Sequence, residues 1–339
     1  MKRKILTVVV PTYNMEKYLR NCLDSLIVSE EQMQLLEVLI INDGSKDSSS
    51  QIAHEYQDRY PQTFRVIDKE NGNYGSCVNR GLKEATGKYI KVLDADDWFD
   101  TANFKLYLDK IKDLDVDLIL NDAQMVNPEG KKGMSFSLKR HPDGVFNFFP
   151  SNEMLEMYQV AYKTENLRKI GYHQTEGISY TDQQWMFKPM TTVRTAYYFS
   201  QVLYDYLFGR EGQTVNTQIR KKSLNHWVIY IKVMLEMYKE EKYPNDIDNW
   251  LRDKLKDRLN GFYRLVLIEL MEDEEEHLIE FDSYLKNVYS DIYNMTNDIV
   301  VHPLLPIKYI SKWRKTRKLS NKKLLNFLFR TYKKIKNGV

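Results

Sequence analysis

Over its first 125 residues the chain alternates short apolar runs with amphipathic stretches, and this alternation restricts the fold more than any other feature. The runs at 5–10, 36–41, 65–68, 89–93 and 117–120 are short and rich in Val, Ile and Leu, as strands covered on both faces are. Between the first two, Met15, Tyr18, Leu19, Cys22, Leu23 and Leu26 recur at 3–4 spacing behind Asn14, which reads as an N-cap. Further helices are predicted over 48–60, 74–86 and 101–114. Strands alternating with helices of this length specify a doubly wound α/β fold around a mostly parallel sheet.

The character changes after residue 125. Asn127-Pro128-Glu129-Gly130 and His141-Pro142-Asp143-Gly144 are turn sequences, with short strands expected at 134–138 and 145–148. From Asn152 onward the apolar spacing reads as almost wholly helical, most clearly over 227–238 and 250–271. The acidic run 272–276 reads as a solvated helix end. This gives a domain over 1–220 in two halves, 1–125 and 126–220, then a helical region over 221–302 and a tail over 303–339.

Cys22 and Cys77 fall on predicted buried helix faces and supply neither a disulfide framework nor a zinc cluster. His54, His141 and His173 have no partners at ligand spacing. The first apolar run stops at Pro11, too short for a secretion signal, and no run approaches the roughly 18–20 residues of a membrane-spanning helix. The expected location is therefore the cytoplasm. The formal charge of +3 is unevenly spread: residues 302–339 carry twelve Lys/Arg and no Asp/Glu, so the remainder is net acidic.

Ligands of open α/β sheets bind beyond the carboxyl ends of the strands. Pro11-Thr12-Tyr13-Asn14 follows the first predicted strand, Asn42-Asp43-Gly44-Ser45 the second, and Asp94-Ala95-Asp96-Asp97 the fourth. A turn accounts for Asn-Asp-Gly-Ser, but not for three acids after a buried strand. Asp94 and Asp96 are two apart, so extended backbone puts both carboxylates on one side. There they repel each other unless a cation lies between them, and their hard oxygens suit Mn²⁺ or Mg²⁺. The competing reading is an acidic N-cap for the following helix. There is no glycine-rich phosphate loop after the first strand, which argues against a nucleotidyltransferase.

Val8-Val9-Val10-Pro11-Thr12-Tyr13-Asn14 and Ile41-Asn42-Asp43-Gly44-Ser45-Lys46-Asp47 resemble the opening signatures of the family 2 glycosyltransferases. So does the stretch from Asn71-Gly72 through Asn79, Gly81-Leu82 and Ala85-Thr86-Gly87 to Asp94-Ala95-Asp96-Asp97. The resemblance implies a GT-A fold, with a mixed, mostly parallel sheet followed by a helical C-terminal region. It implies a nucleotide-diphosphate sugar as donor, most often a UDP-sugar, and inversion at the anomeric carbon. Carried over by position, Pro11 and Tyr13 line the base pocket, Asp43 bonds the base, and Lys69 and Asn71 lie on the loop nearing the nucleotide. Asp94 faces the ribose or the metal, and Asp96 ligates the metal. Asp182, in Thr181-Asp182-Gln183-Gln184-Trp185, resembles the family's general base, although Thr181 or Asp182 could instead cap a helix. Arg210, in a looser match over Tyr206-Leu207-Phe208-Gly209-Arg210-Glu211-Gly212-Gln213, is either a stabiliser of the leaving diphosphate or a surface residue.

One position departs from the family: its usual arginine before Asn79 is Val78 here. Arg80 points to another side of the helix and does not replace it. This keeps open an alternative, a non-catalytic nucleotide-sugar binder or membrane scaffold. In the tail, Ile307, Ile310, Trp313, Leu319, Leu324, Leu325, Leu328, Phe329 and Tyr332 lie among the basic residues. That pattern predicts an amphipathic helix broken near Ser320-Asn321. Such a helix either lies on an anionic membrane or packs on the domain; without a base-reading module, nucleic acid is not expected. Membrane contact at the inner face of the cell membrane suits a glycan or lipid-linked glycan acceptor in cell-surface or exopolysaccharide assembly.

Overall fold

The computed structural model describes residues 4–138, 141–148, 155–210, 213, 217–273, 275–302 and 305–337. Asn152, Glu211, Gly212 and the side chain of Tyr332 lie outside the described residues, as do 303–304 and 338–339 of the tail. The chain forms two compact units, Met1–Arg210 and Glu211–Val339.

The first unit is built on a ten-stranded sheet. Its strands are β1 (Leu6–Thr12), β2 (Leu36–Asn42), β3 (Phe64–Asp68), β4 (Tyr89–Val92), β5 (Trp98–Phe99), β6 (Leu118–Val126), β7 (Lys132–Phe136), β8 (Gly144–Asn147), β9 (Val160–Lys163) and β10 (Thr195–Leu207). The order is β3-β2-β1-β4-β9-β6-β10-β5, with β7 on β6 and β8 on β10. β1, β2, β3, β4, β6 and β10 all run the same way, while β9 is antiparallel to both β4 and β6. The sheet is mixed and mostly parallel, as expected. β1, β2 and β4 are buried almost throughout, and their Val, Leu and Ile side chains each contribute about 1.5–3 kcal/mol by leaving water. Helices α1 (Leu19–Asp24), α2 (Glu30–Met33), α3 (Ser49–Arg59) and α5 (Thr101–Ile111) share one core with Val8, Val10, Val38 and Ile40. On the other face lies α4 (Asn73–Glu84), where Gly81 packs so closely on Val9 that a Cβ would lie 2.5 Å from its methyl groups. The short helices α6 (Thr164–Lys169) and α7 (Asp182–Trp185) complete the unit.

Two local expectations are corrected. The stretch after Asn152 is not wholly helical, since it supplies β9 and the thirteen-residue β10. Register shifts between Phe199, Val202 and Tyr204 interrupt β10, and a bulged strand loses the period of two by which strands are recognised. Asn14 is not an N-cap, and α1 begins only at Leu19. Asn14 adopts a left-handed φ of 53° and ties the β1 loop to the β2 loop. Its N–H donates to Ser45 Oγ (3.0 Å), and its Oδ1 accepts from the Lys46 N–H (2.8 Å).

The second unit is built of helices among its described residues, joined by loops: α8 (Thr217–Lys222), α9 (Leu224–Lys239), α10 (Asn245–Arg264), α11 (Glu276–Val288), α12 (Ser290–Thr296), α13 (Tyr309–Thr316) and α14 (Lys322–Asn337). The helix break in the tail falls between α13 and α14, where expected. Of the two placements left open for the tail, packing on the protein holds for α13, where Tyr309, Ile310 and Trp313 are fully buried. Trp313 Nε1 donates to the Asp273 carbonyl (2.9 Å), Arg314 pairs with buried Asp282 (2.8 Å), and Lys322 pairs with Asp273 (2.6 Å). α13 therefore belongs to the core of this unit.

Candidate active site

At the carboxyl ends of β1 and β2 the backbone N–H of Asp43 donates to the Thr12 carbonyl (2.9 Å). The Asp43 carboxylate is 2% exposed. Its Oδ1 accepts from Lys69 Nζ (2.6 Å) and the Gly72 N–H (2.9 Å), and Asn71 Nδ2 donates to the Asp43 carbonyl (2.9 Å). Asp43 thus folds the loop after β3 over the end of β2. Gly44 permits the approach: its φ is 73°, and a Cβ there would lie 3.3 Å from the Asn71 nitrogen. A cavity of about 570 Å³ opens here, lined by Tyr13, Gly44, Lys46, Lys69 and Asn71. Such a volume suits a nucleotide-sized ligand. Asp68 and Glu70 also line it. Neither they nor Lys46 were singled out from sequence: Asp68 ends β3, Glu70 follows it by two residues, and Lys46 lies within the Ile41–Asp47 signature. Pro11 lies in β1 opposite Ile41.

One strand further on, carboxylate oxygens of Asp94, Asp96 and Asp97 lie within 4.8 Å of one another. Asp97 is structural: Tyr204 Oη donates to its Oδ2 and the Leu207 N–H to its Oδ1, both at 2.7 Å. It holds the end of β10 against the loop, and burial, followed by the charges of Asp96 and Asp94, pushes its pKa well up. Asp94 accepts on Oδ1 from Tyr74 Oη (2.9 Å). Burial first, then the charges of Asp96 and Asp182, raise its pKa to about 7, against the opposing pull of Tyr74 and Arg210. Asp96 pairs with Arg210 Nε (2.5 Å), the two side chains being only 12% and 14% exposed. Arg210 thus lies at the carboxylate cluster and is largely withdrawn from solvent. Among the described residues, Asp94 Oδ2 and Asp96 Oδ1 accept no hydrogen bond. Two close carboxylates, each with an oxygen uncommitted, fit a hard divalent cation.

Asp182 opens α7, whose N-cap residue Thr181 makes no side-chain capping bond. Gln183 Nε2 donates to Asp182 Oδ2 (2.6 Å). The helix is tied back by Gln184, which exchanges two hydrogen bonds of 2.9 Å with Thr175. The neighbouring Gln174 exchanges two of 2.8 Å with Asn79 of α4. α4 thereby sets the position of Asp182, and the charge of Asp182 is felt at Asp94. Gly75 allows this contact, since a Cβ there would lie 2.0 Å from the Thr175 carbonyl oxygen. Gly75→Ala should push that segment away and lower turnover by as much as about 10²-fold, the cost of an ångström-scale misplacement. Steady-state rates and thermal midpoints of the variant check this. Val78 is buried, and Arg80 turns outward to Glu84 (3.0 Å), so neither supplies a cation to the site.

Residues 7–172 match the family described as Glycosyl transferase family 2. The chain belongs to this family. Glycosyltransferase GlyA of Streptococcus pneumoniae serotype 4 is 26% identical over 237 residues, a stretch covering 70% of this chain and 31% of the relative. The chain thus spans about a third of that protein's length. Among solved structures, residues 1–349 of S. aureus TarS in complex with UDP-GlcNAc match with a TM-score of 0.69 and 19% identity, covering 96% of this chain and 92% of that one. The mannosyltransferase PcManGT of Pyrobaculum calidifontis, in complex with GDP-Man and Mn²⁺, matches with a TM-score of 0.52 and 14% identity, covering 87% and 83%. Both likenesses speak for the GT-A fold. In this family 2 chain the residues named from sequence gather along one edge of the sheet. Tyr13, Lys69 and Asn71 line the cavity. Asp43 and Pro11 are not among its lining residues, although Asp43 bonds Lys69 and Asn71 at its edge. Asp94, Asp96 and Arg210 meet at the carboxylate cluster.

Proposed function

We propose that this chain is an inverting glycosyltransferase that moves a sugar from a nucleotide-diphosphate donor, a UDP-sugar in the first instance, to a glycan hydroxyl. The reading is carried by a nucleotide-sized cavity and the Asp94/Asp96 pair beyond the ends of β1, β2 and β4, with α7 and its Asp182 tied to α4 through Gln184, Thr175 and Gln174. Pro11, Tyr13, Lys69 and Asn71 hold the nucleotide, and Asp43 bonds its base. Asp94 and Asp96 would hold Mn²⁺ or Mg²⁺, which when bound supplies charge neutralisation at the diphosphate. Arg210 sets its positive charge against the negative charge of the leaving diphosphate. Asp182 accepts the proton of the acceptor hydroxyl, whose oxygen attacks the anomeric carbon as the bond to the diphosphate breaks. One displacement inverts that centre. Release of nucleoside diphosphate from a panel of nucleotide-sugars, with and without Mn²⁺, tests the reading.

The acceptor is a glycan or lipid-linked glycan of cell-surface or exopolysaccharide assembly, reached at the inner face of the membrane. Support for the membrane part narrows to α14. Leu324, Phe327 and Leu328 recur at helical spacing and are 54%, 66% and 38% exposed, on a helix without an acidic residue. No described helix is long and apolar enough to span a membrane. Removing 303–339 would take Trp313 out of the core, so substitutions in α14 are the cleaner test. Leu324→Glu with Phe327→Glu should lower flotation with phosphatidylglycerol vesicles at least about tenfold, given about 1.5–3 kcal/mol per buried side chain. Equal flotation of variant and wild type would count against lipid contact.

A further inference from the structure

The first turn of α4 brings a neutral donor to the carboxylate cluster. Tyr74 and Val78 stand one turn apart and share a helix face. Helical side chains lean toward the N-terminus, so residue 78 covers the surface over the turn that holds Tyr74. Val78, 1% exposed, has no polar group to place there. Tyr74 has one: its Oη donates to Asp94 Oδ1 (2.9 Å) and lies 3.2 Å from Met157 Sδ. The charges of both Asp94 and Asp182 act on this phenol. Its backbone is fixed at Gly75, in close contact with the Thr175 carbonyl, on the segment that positions Asp182.

We propose that Tyr74 is a positioning residue for the metal–nucleotide complex: by holding Asp94 Oδ1, its phenol fixes that carboxylate and leaves Oδ2 for the cation. This rests on the metal and nucleotide assignments above. A carboxylate at the end of a strand otherwise rotates about its side-chain torsions. One charge-assisted hydrogen bond that fixes it is enough to change affinity about tenfold.

The test is Tyr74→Phe in the full chain, with UDP titrated calorimetrically in the presence and absence of saturating Mn²⁺. Phenylalanine keeps the ring and its packing, and an unchanged thermal midpoint confirms the fold. The Kd for UDP with Mn²⁺ should rise about tenfold, while the Kd for UDP alone stays within twofold. Wild-type affinity with Mn²⁺, or an equal loss with and without Mn²⁺, would overturn the role. Wild-type protein separates the two levels of inference. If Mn²⁺ does not tighten UDP there, the metal assignment itself fails, and the role of Tyr74 with it.

Discussion

Asp182→Asn should leave the nucleotide-sugar bound and stop its transfer, lowering kcat by roughly 10²- to 10⁴-fold, the range of a lost general base. Asparagine has the same shape and keeps acceptor capacity toward Gln183, whose Nε2 donates to Asp182 Oδ2 at 2.6 Å. The ties that place α7 run through Gln184, Thr175 and Asn79 and are untouched. Donor affinity should therefore hold within about twofold, because the substitution removes a proton acceptor and no nucleotide contact. Single-turnover transfer and donor binding, measured on one preparation, separate the two effects. Transfer at the wild-type rate would require another base.

The second large effect is expected from Asp96→Ala. It removes one of two cation ligands, and Mn²⁺-dependent turnover should fall by about 10³-fold or more, since a Lewis-acid ion contributes several kcal/mol at the transition state. The fold should survive. Breaking a nearly buried pair such as Asp96–Arg210 (2.5 Å) can cost about 3–5 kcal/mol. Here the loss is offset, because the charge of Asp96 is itself a burden on Asp94 and Asp97, both pushed toward protonation by it. Arg210 keeps Tyr18 beneath its guanidinium, 5.3 Å from the ring centre. Thermal unfolding of the variant alongside its Mn²⁺-stimulated rate distinguishes a lost ligand from a lost fold. Full activity would remove Asp96 from the metal site.

What could be read from the sequence follows from which interactions are local. β1, β2 and β4 showed themselves because buried parallel strands are apolar at nearly every position, and β3 and β6 through shorter apolar runs within them. β5, β9 and β10 did not. β5 is the pair Trp98–Phe99, a strand only because Tyr204 and Asp205 lie opposite, and the bulges of β10 erase its alternation. The acids beyond β4 were legible as a group, but their division of labour was not. That Asp97 is consumed by Tyr204 and Leu207 depends on residues more than a hundred positions away. Val78 marked the place where the usual arginine is missing, but the phenol of Tyr74 on Asp94 appears only once α4 is docked. The tail left two placements open for a related reason. Its amphipathic spacing is the same whether the apolar face meets lipid or protein. Buried Asp282 and the Asp273 carbonyl, more than thirty residues upstream, draw α13 inward, while Leu324, Phe327 and Leu328 of α14 stay exposed.

The central claim is that the Asp94/Asp96 edge of the sheet transfers a sugar from a nucleotide donor with the help of a divalent cation. It is tested most directly by following nucleoside diphosphate release from UDP-, GDP- and other nucleotide-sugars, with Mn²⁺ and with a chelator. Release from at least one donor should depend on Mn²⁺ or Mg²⁺, stop with chelator and be abolished in Asp96→Ala. Release that persists undiminished in chelator and in that variant would contradict it.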